Sequence, residues 1–255
     1  MQGVLDMKVN RDAVVKFCEQ YLGVEKFQDF CKNGIQVEGG EKIERIVTGV
    51  SFSRQLIEAA IFRSAQMIIV HHGIFGNQLG NPPVIKGFNR DRLKLLLEND
   101  ISLCGFHLPL DAHPEIGNNI SLCRLFGVAK TKPFGVGFIG DLAKPLDFNA
   151  LLATVESKLG VAAFAIPAGP AKSRKVAIIS GGASSEFKTA AELGADTFIT
   201  GDIREEHVRA IEETGLNFIS AGHYNTEKLG IQNLGRLIAR KFSIPVDYID
   251  VACSI

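Results

Sequence analysis

The feature that most constrains this chain is that it repeats itself. Displaced by 130 positions, ERIVTGV…AQMIIVHHG lies on RKVAIISG…ADTFITGDI without a gap, with Ala60 on Ala190 and Ala65 on Ala195. Apolar runs alternate with helical patterns in both copies. The first gives strand 44–50, helix 54–64, strand 67–70, helix 91–98 and strand 101–106. The second gives strand 175–179, helix 185–193, strand 197–200, helix 205–213 and strand 217–221. This is βαβ rhythm, so the expected fold is α/β with mostly parallel or mixed sheets in two duplicated halves. The halves are expected at 1–127 and 128–255. The second includes a connecting segment, Gly127–Pro170, with a helix over Leu151–Leu159. A Gly-, Pro- and Asn-rich stretch, Gly73–Gly87, reads as a loop present only in the first copy.

Each copy ends its last strand near a histidine followed by an acid at the same offset. These pairs are His107 with Asp111 and His223 with Glu227. His71 and His72 end the strand MIIV. Ligands of open α/β sheets sit beyond the carboxyl ends of the strands, where all these residues fall. Imidazole and carboxylate together suit zinc, iron, manganese or nickel. Consecutive residues on an extended chain point to opposite sides, so His71 and His72 suit two ions, one each. Pro109 argues against a helix through the first pair, which leaves a turn with Asp111 at or near a cap.

Other candidates have competing local readings. Asp202 with Glu205 three residues on reads as a capping box, although Asp202 holds the repeat position of His72. Ser180-Gly-Gly-Ala-Ser-Ser is a strand-to-helix turn or a weak phosphate cradle. Asn33-Gly34 is a turn signal. His113 reads as solvent-facing, His207 as lying on a helix, and Phe17, Phe27, Phe30 and Phe62 as core. Five cysteines at irregular spacing, with no C-x-x-C pair, read as reduced and mostly buried thiols.

Composition excludes several classes. With 46% hydrophobic and 22% charged residues, the chain is neither disordered nor fibrous. Lys+Arg and Asp+Glu are 28 each, so no nucleic-acid footprint is indicated. No apolar run reaches the roughly 18 residues of a membrane span. The N-terminus carries no signal pattern, so the expected compartment is the cytoplasm.

The motifs NGIQVEG, IIVHHGIF, NDISLCGFHLPLDA, GADTFITGDI and GLNFISAGHYNTEKLGI span nearly the whole chain. In their order and content the chain resembles the YbgI family, the GTP cyclohydrolase 1 type 2 homologues, related to the yeast Ngg-one-interacting factor. The resemblance implies the short form, two intertwined α/β halves with a dinuclear metal site between them, and a ring-shaped homohexamer. It implies His71, His72, Asp111, His223 and Glu227 as ligands of two divalent ions, with Glu227 bridging and His107 as a further ligand or proton carrier. The expected activity is metal-dependent hydrolysis of a small molecule, GTP cyclohydrolase-like, with His107 as the catalytic residue. The alternatives are a metal chaperone, insertase or store without turnover, and a protein-interaction module.

Overall fold

The computed structural model describes residues 8–76, 79–80 and 82–253. Residues 1–7, which carry part of the no-signal expectation, and Asn77, Gln78 and Asn81 of the expected 73–87 loop lie outside them. In chain order the elements begin with β1 (Val9–Asn10), α1 (Arg11–Leu22), β2 (Gly34–Val37), β3 (Lys42–Ile43), β4 (Ile46–Ser51), α2 (Arg54–Phe62) and β5 (Met67–His72). There follow α3 (Gly87–Glu98), β6 (Ser102–Gly105), α4 (Leu108–Ala112), α5 (Asn118–Phe126), β7 (Val128–Phe134), β8 (Gly137–Asp147), α6 (Phe148–Leu159) and β9 (Phe164–Pro167). The last are β10 (Lys172–Ile178), α7 (Phe187–Glu192), β11 (Thr197–Thr200), α8 (Glu205–Thr214), β12 (Asn217–Ser220), α9 (His223–Thr226), α10 (Lys228–Phe242) and β13 (Val246–Tyr248). None of the described helices is long and apolar enough to cross a membrane.

The chain forms two compact units. One is built from the chain up to Leu110 with Ile231–Val251, the other from Asp111–Gly230. The expected boundary after Gly127 falls at the left-handed C-cap of α5, within the second unit. In the first unit five strands lie in the order β13-β4-β5-β6-β2. All are parallel except β2, which runs antiparallel to β6. The Ser53 hydroxyl caps α2 by accepting from the Leu56 N–H at 3.3 Å. Leu56, Ile57 and Ala60, at helical spacing, then bury one face of α2 in a core with Val47, Ile68, Val70, Leu96 and Leu103. Each such Leu or Ile contributes about 1.5–3 kcal/mol of burial.

In the second unit six strands lie in the order β7-β8-β10-β11-β12-β9. Here β10, β11 and β12 are parallel. The continuous apolar run KVAII has a simple cause: both faces of this sheet are covered. Val176 and Ile178 enter one core with Leu151, Val155 and Ile219. Ala177 and Ile179 enter another with Phe187, Phe198 and Phe218. The segment 127–170 is no mere connector, because β7, β8 and β9 are all strands of this sheet. The helix expected over Leu151–Leu159 is the C-terminal part of α6.

Strand registers bear out the duplication and refine it. Ile46 pairs with Met67, and Val176 with Thr197, each residue 130 positions from its counterpart. Ser102 and Asn217 are the next partners, 115 apart, most of the difference falling before α3, since Gly87 and Glu205 open α3 and α8 at 118 apart. The edge strands obey the same rule: Gly34 pairs with Gly105 and Phe164 with Ser220. At this register Leu108 matches His223, each the first residue of its helix, and His107 matches Gly222. The sequence alignment of His107 with His223 is therefore one residue out of step. Both strands hand over to a helix across two residues, and that backbone spacing sets the match.

Candidate metal centre

In the first unit, β5 delivers His71 and His72 and the turn into α4 delivers His107. Their ring centroids are 4.6, 5.0 and 5.6 Å apart, and one nitrogen of each lies within 4.8 Å of the others. The two rings do not point to opposite sides as strand alternation suggested, since both reach this cluster, but each also falls in a separate group that could hold an ion, in keeping with one ion each. The turn after them is locked to β2. Gln36 Oε1 accepts from the Ile74 and Phe75 N–H groups at 2.8 and 3.3 Å, and its Nε2 donates to the Lys32 carbonyl at 2.6 Å. A Cβ on Gly73 would lie 2.2 Å from Gln36 Oε1, so a larger residue there would have to push the Gln36 amide out of these bonds.

Each of these rings is tied through Nδ1. His71 Nδ1 donates to the Phe106 carbonyl at 2.9 Å. His72 Nδ1 lies 3.1 Å from Ser51 Oγ. His107 Nδ1 lies 3.0 Å from Asp29 Oδ1. Asp29 is a residue that sequence reasoning missed. Its buried carboxylate also accepts from the Cys31 N–H, the Leu108 N–H and Asn33 Nδ2, each at 2.9 Å. Burial pushes its carboxyl up, but the bonds from His107, Asn33 and the Cys31 N–H outweigh this and hold it well below the usual range. Asn33 does more than turn the chain, since its Oδ1 accepts from the His107 N–H at 2.7 Å. Asp29, Cys31 and His107 also lie close enough to hold a cation, but the donors already around Asp29 make it a structural hub.

In the second unit, His223 opens α9 and Glu227 follows its end. His223 Nδ1 lies 3.1 Å from Asp202 Oδ2, and its Nε2 lies 3.3 Å from Glu227 Oε1. Asp202 first, then Glu227, raise the His223 pKa to about 10 against the opposing effect of burial. The capping-box expectation is overturned: α8 starts at Glu205 after Arg204, with no side-chain cap, because the Asp202 carboxylate is turned to His223 instead. Asp111 Oδ1 accepts from Asn118 Nδ2 at 2.8 Å and Ser180 Oγ at 3.1 Å. A carboxylate oxygen of Asp111 lies within 4.8 Å of one from Glu227. Pro109 does not prevent α4, because it sits in the first turn, where its missing N–H has no helical partner to lose.

The Ser180-Gly-Gly turn walls this set. Gly181 has φ +66, and a Cβ there would lie 2.1 Å from Glu227 Oε1. Its N–H donates to Thr226 Oγ1 at 3.0 Å. The segment is therefore a close-packed turn, and its glycines admit the carboxylate.

The sequence matches the Duf34/NIF3 family (NGG1p interacting factor 3) over residues 9–253. The chain belongs to this family. A Pseudomonas aeruginosa protein named GTP cyclohydrolase 1 type 2 homolog is 38% identical over 250 residues, covering 96% of this chain and 98% of that protein. An Escherichia coli protein of the same name is 41% identical over 234 residues, covering 90% and 93%. The solved structure of ybgI, described as of unknown function, superposes with a TM-score of 0.93 at 37% identity, covering 97% of this chain and all of that one.

The remaining candidates of this NIF3 chain have local partners. His113 Nδ1 accepts from the Glu115 and Ile116 N–H groups, and His207 Nδ1 meets Ser184 Oγ at 3.0 Å. Cys18, Cys104 and Cys123 are buried, and burial raises all three thiols. All five cysteines are free, as expected. Phe30 and Phe62 are exposed, contrary to the core expectation. The donor chemistry fits divalent transition ions: imidazoles in one unit, and imidazole with two carboxylates in the other.

Proposed function

We propose that this chain is a dinuclear metal-dependent hydrolase. His71, His72, Asp111, His223 and Glu227 would hold two divalent ions. The observation that carries this is the anchoring of four imidazoles through Nδ1, to Phe106 O, Ser51, Asp29 and Asp202. Such partners fix the tautomer, leaving Nε2 to coordinate in His71, His72 and His223 and to accept a proton in His107. When bound, the ions lower the pKa of a water toward neutral. The chain's own groups do the rest. Asp29 holds His107 with Nδ1 protonated, and His107 Nε2 takes the proton that the water gives up. Asn118 and Ser180 fix the Asp111 carboxylate, and Asp202 fixes His223.

The name shared by the relatives points to GTP, where one water would open the imidazole ring to a formylamino group and a second would hydrolyse that group to formate. A phosphoester or cyclic amide would suit the same groups. The hexameric ring and the cytoplasmic setting belong to the same proposal. The test is GTP turnover with metal analysis on wild type and His223→Ala. Loss of both metal and turnover is expected in the variant. Turnover by metal-free protein would contradict the reading, and tightly bound metal that passes to a client protein without turnover would favour metal handling.

A further inference from the structure

Phe30 is 63% exposed, yet it is not on a loose loop. The residues beside it are fixed by the Asp29 carboxylate, by the Asn33 side chain bonded to Asp29 and the Cys31 carbonyl, and by the Lys32 N–H donating to the Phe75 carbonyl at 2.9 Å. Its ring meets the His107 ring edge-on, at 5.0 Å between centroids and 71° between planes. A large apolar ring is thus held in water against the imidazole assigned to proton transfer. By contrast, the exposed ring of Phe88 has the Arg92 guanidinium 4.9 Å from its centroid.

We infer that Phe30 is the stacking platform for the substrate, and that the substrate class is a planar conjugated heterocycle whose reacting atoms lie toward His107. This deepens the hydrolase reading above and rests on it. Every nucleobase has a π face that an aromatic side chain can stack against, and losing such a contact weakens binding roughly tenfold.

The chain has no tryptophan and three tyrosines, so Phe30→Trp in the full-length protein creates its single tryptophan at the platform, excited apart from the tyrosines. Its emission is titrated with GTP and, separately, with inorganic tripolyphosphate, and metal is measured on the same sample. Saturable quenching by GTP but not by tripolyphosphate is expected. Phe30→Ala should weaken GTP binding about tenfold by calorimetry, with metal content unchanged. Equal quenching by tripolyphosphate, or no quenching in fully metallated protein, would overturn the stacking proposal and leave the metal reading standing. So would dissociation of an oligomer in Phe30→Ala, which would mark the ring as an interface between copies. Quenching by GTP without bound metal would support the platform and overturn the metal reading.

Discussion

At the scale of single residues, protonation separates His223 from an inert core histidine. Without metal its pKa stands at about 10, raised by Asp202 and then Glu227 from the ordinary 6.5. A folded-state value above the unfolded one stabilises fully below about pH 6.5, and that stabilisation is lost as pH rises through about 10. The thermal midpoint of chelator-treated protein should therefore fall between pH 6.5 and 10, and His223→Gln should flatten the slope. A midpoint insensitive to pH in wild type would count against the ion pair. Metal affinity should rise over the same interval, because the proton must leave before an ion enters. Asp29→Asn should cost about 1–3 kcal/mol in denaturant unfolding, since it disturbs a buried set of four bonds. An unchanged midpoint would show that Asp29 is not the hub. The strand-end histidines were legible because imidazoles at such positions are not needed for packing. Asp29 was not, because its partner His107 lies 78 residues away and no local pattern links the two. Phe30 was misread for a related reason: aromatic character suggests burial, whereas this ring stands in water edge-on to His107.

At the scale of elements, glycines and turns decide how closely strands and short helices approach. Gly181→Ala places a methyl 2.1 Å from Glu227 Oε1 at a φ of +66. Gly135→Ala meets nothing within 4 Å at a φ of +56. The second substitution should cost about 1–2 kcal/mol from backbone conformation alone. The first should cost more and should also lose metal. Thermal melts with metal analysis on both variants check this, and equal effects would contradict the packing argument. The strands of the repeat were legible because their apolar runs are covered on both faces. The short edge strands β2 and β9 were not, since GIQV and FAIP share no pattern and only their pairing reveals them as counterparts. Pro109 misled because a rule about helix interiors was applied to a first turn.

At the scale of the whole molecule, the chain builds one unit, then the second, and returns to the first with Ile231–Val251. This explains why a single cut at 127 describes the polypeptide but not its packing: β13, near the C-terminus, is a strand of the first sheet beside β4. The duplication gives each unit a strand-end set, one of imidazoles and one richer in carboxylates, and the central claim is that His71, His72, Asp111, His223 and Glu227 are there to hold metal. Its most direct test is the metal content per chain of protein purified without chelator or affinity metal, for wild type, His71→Ala and His223→Ala. About two ions per chain are predicted in wild type, with a loss from either variant. No metal in wild type after reconstitution, or full metal in both variants, would contradict it.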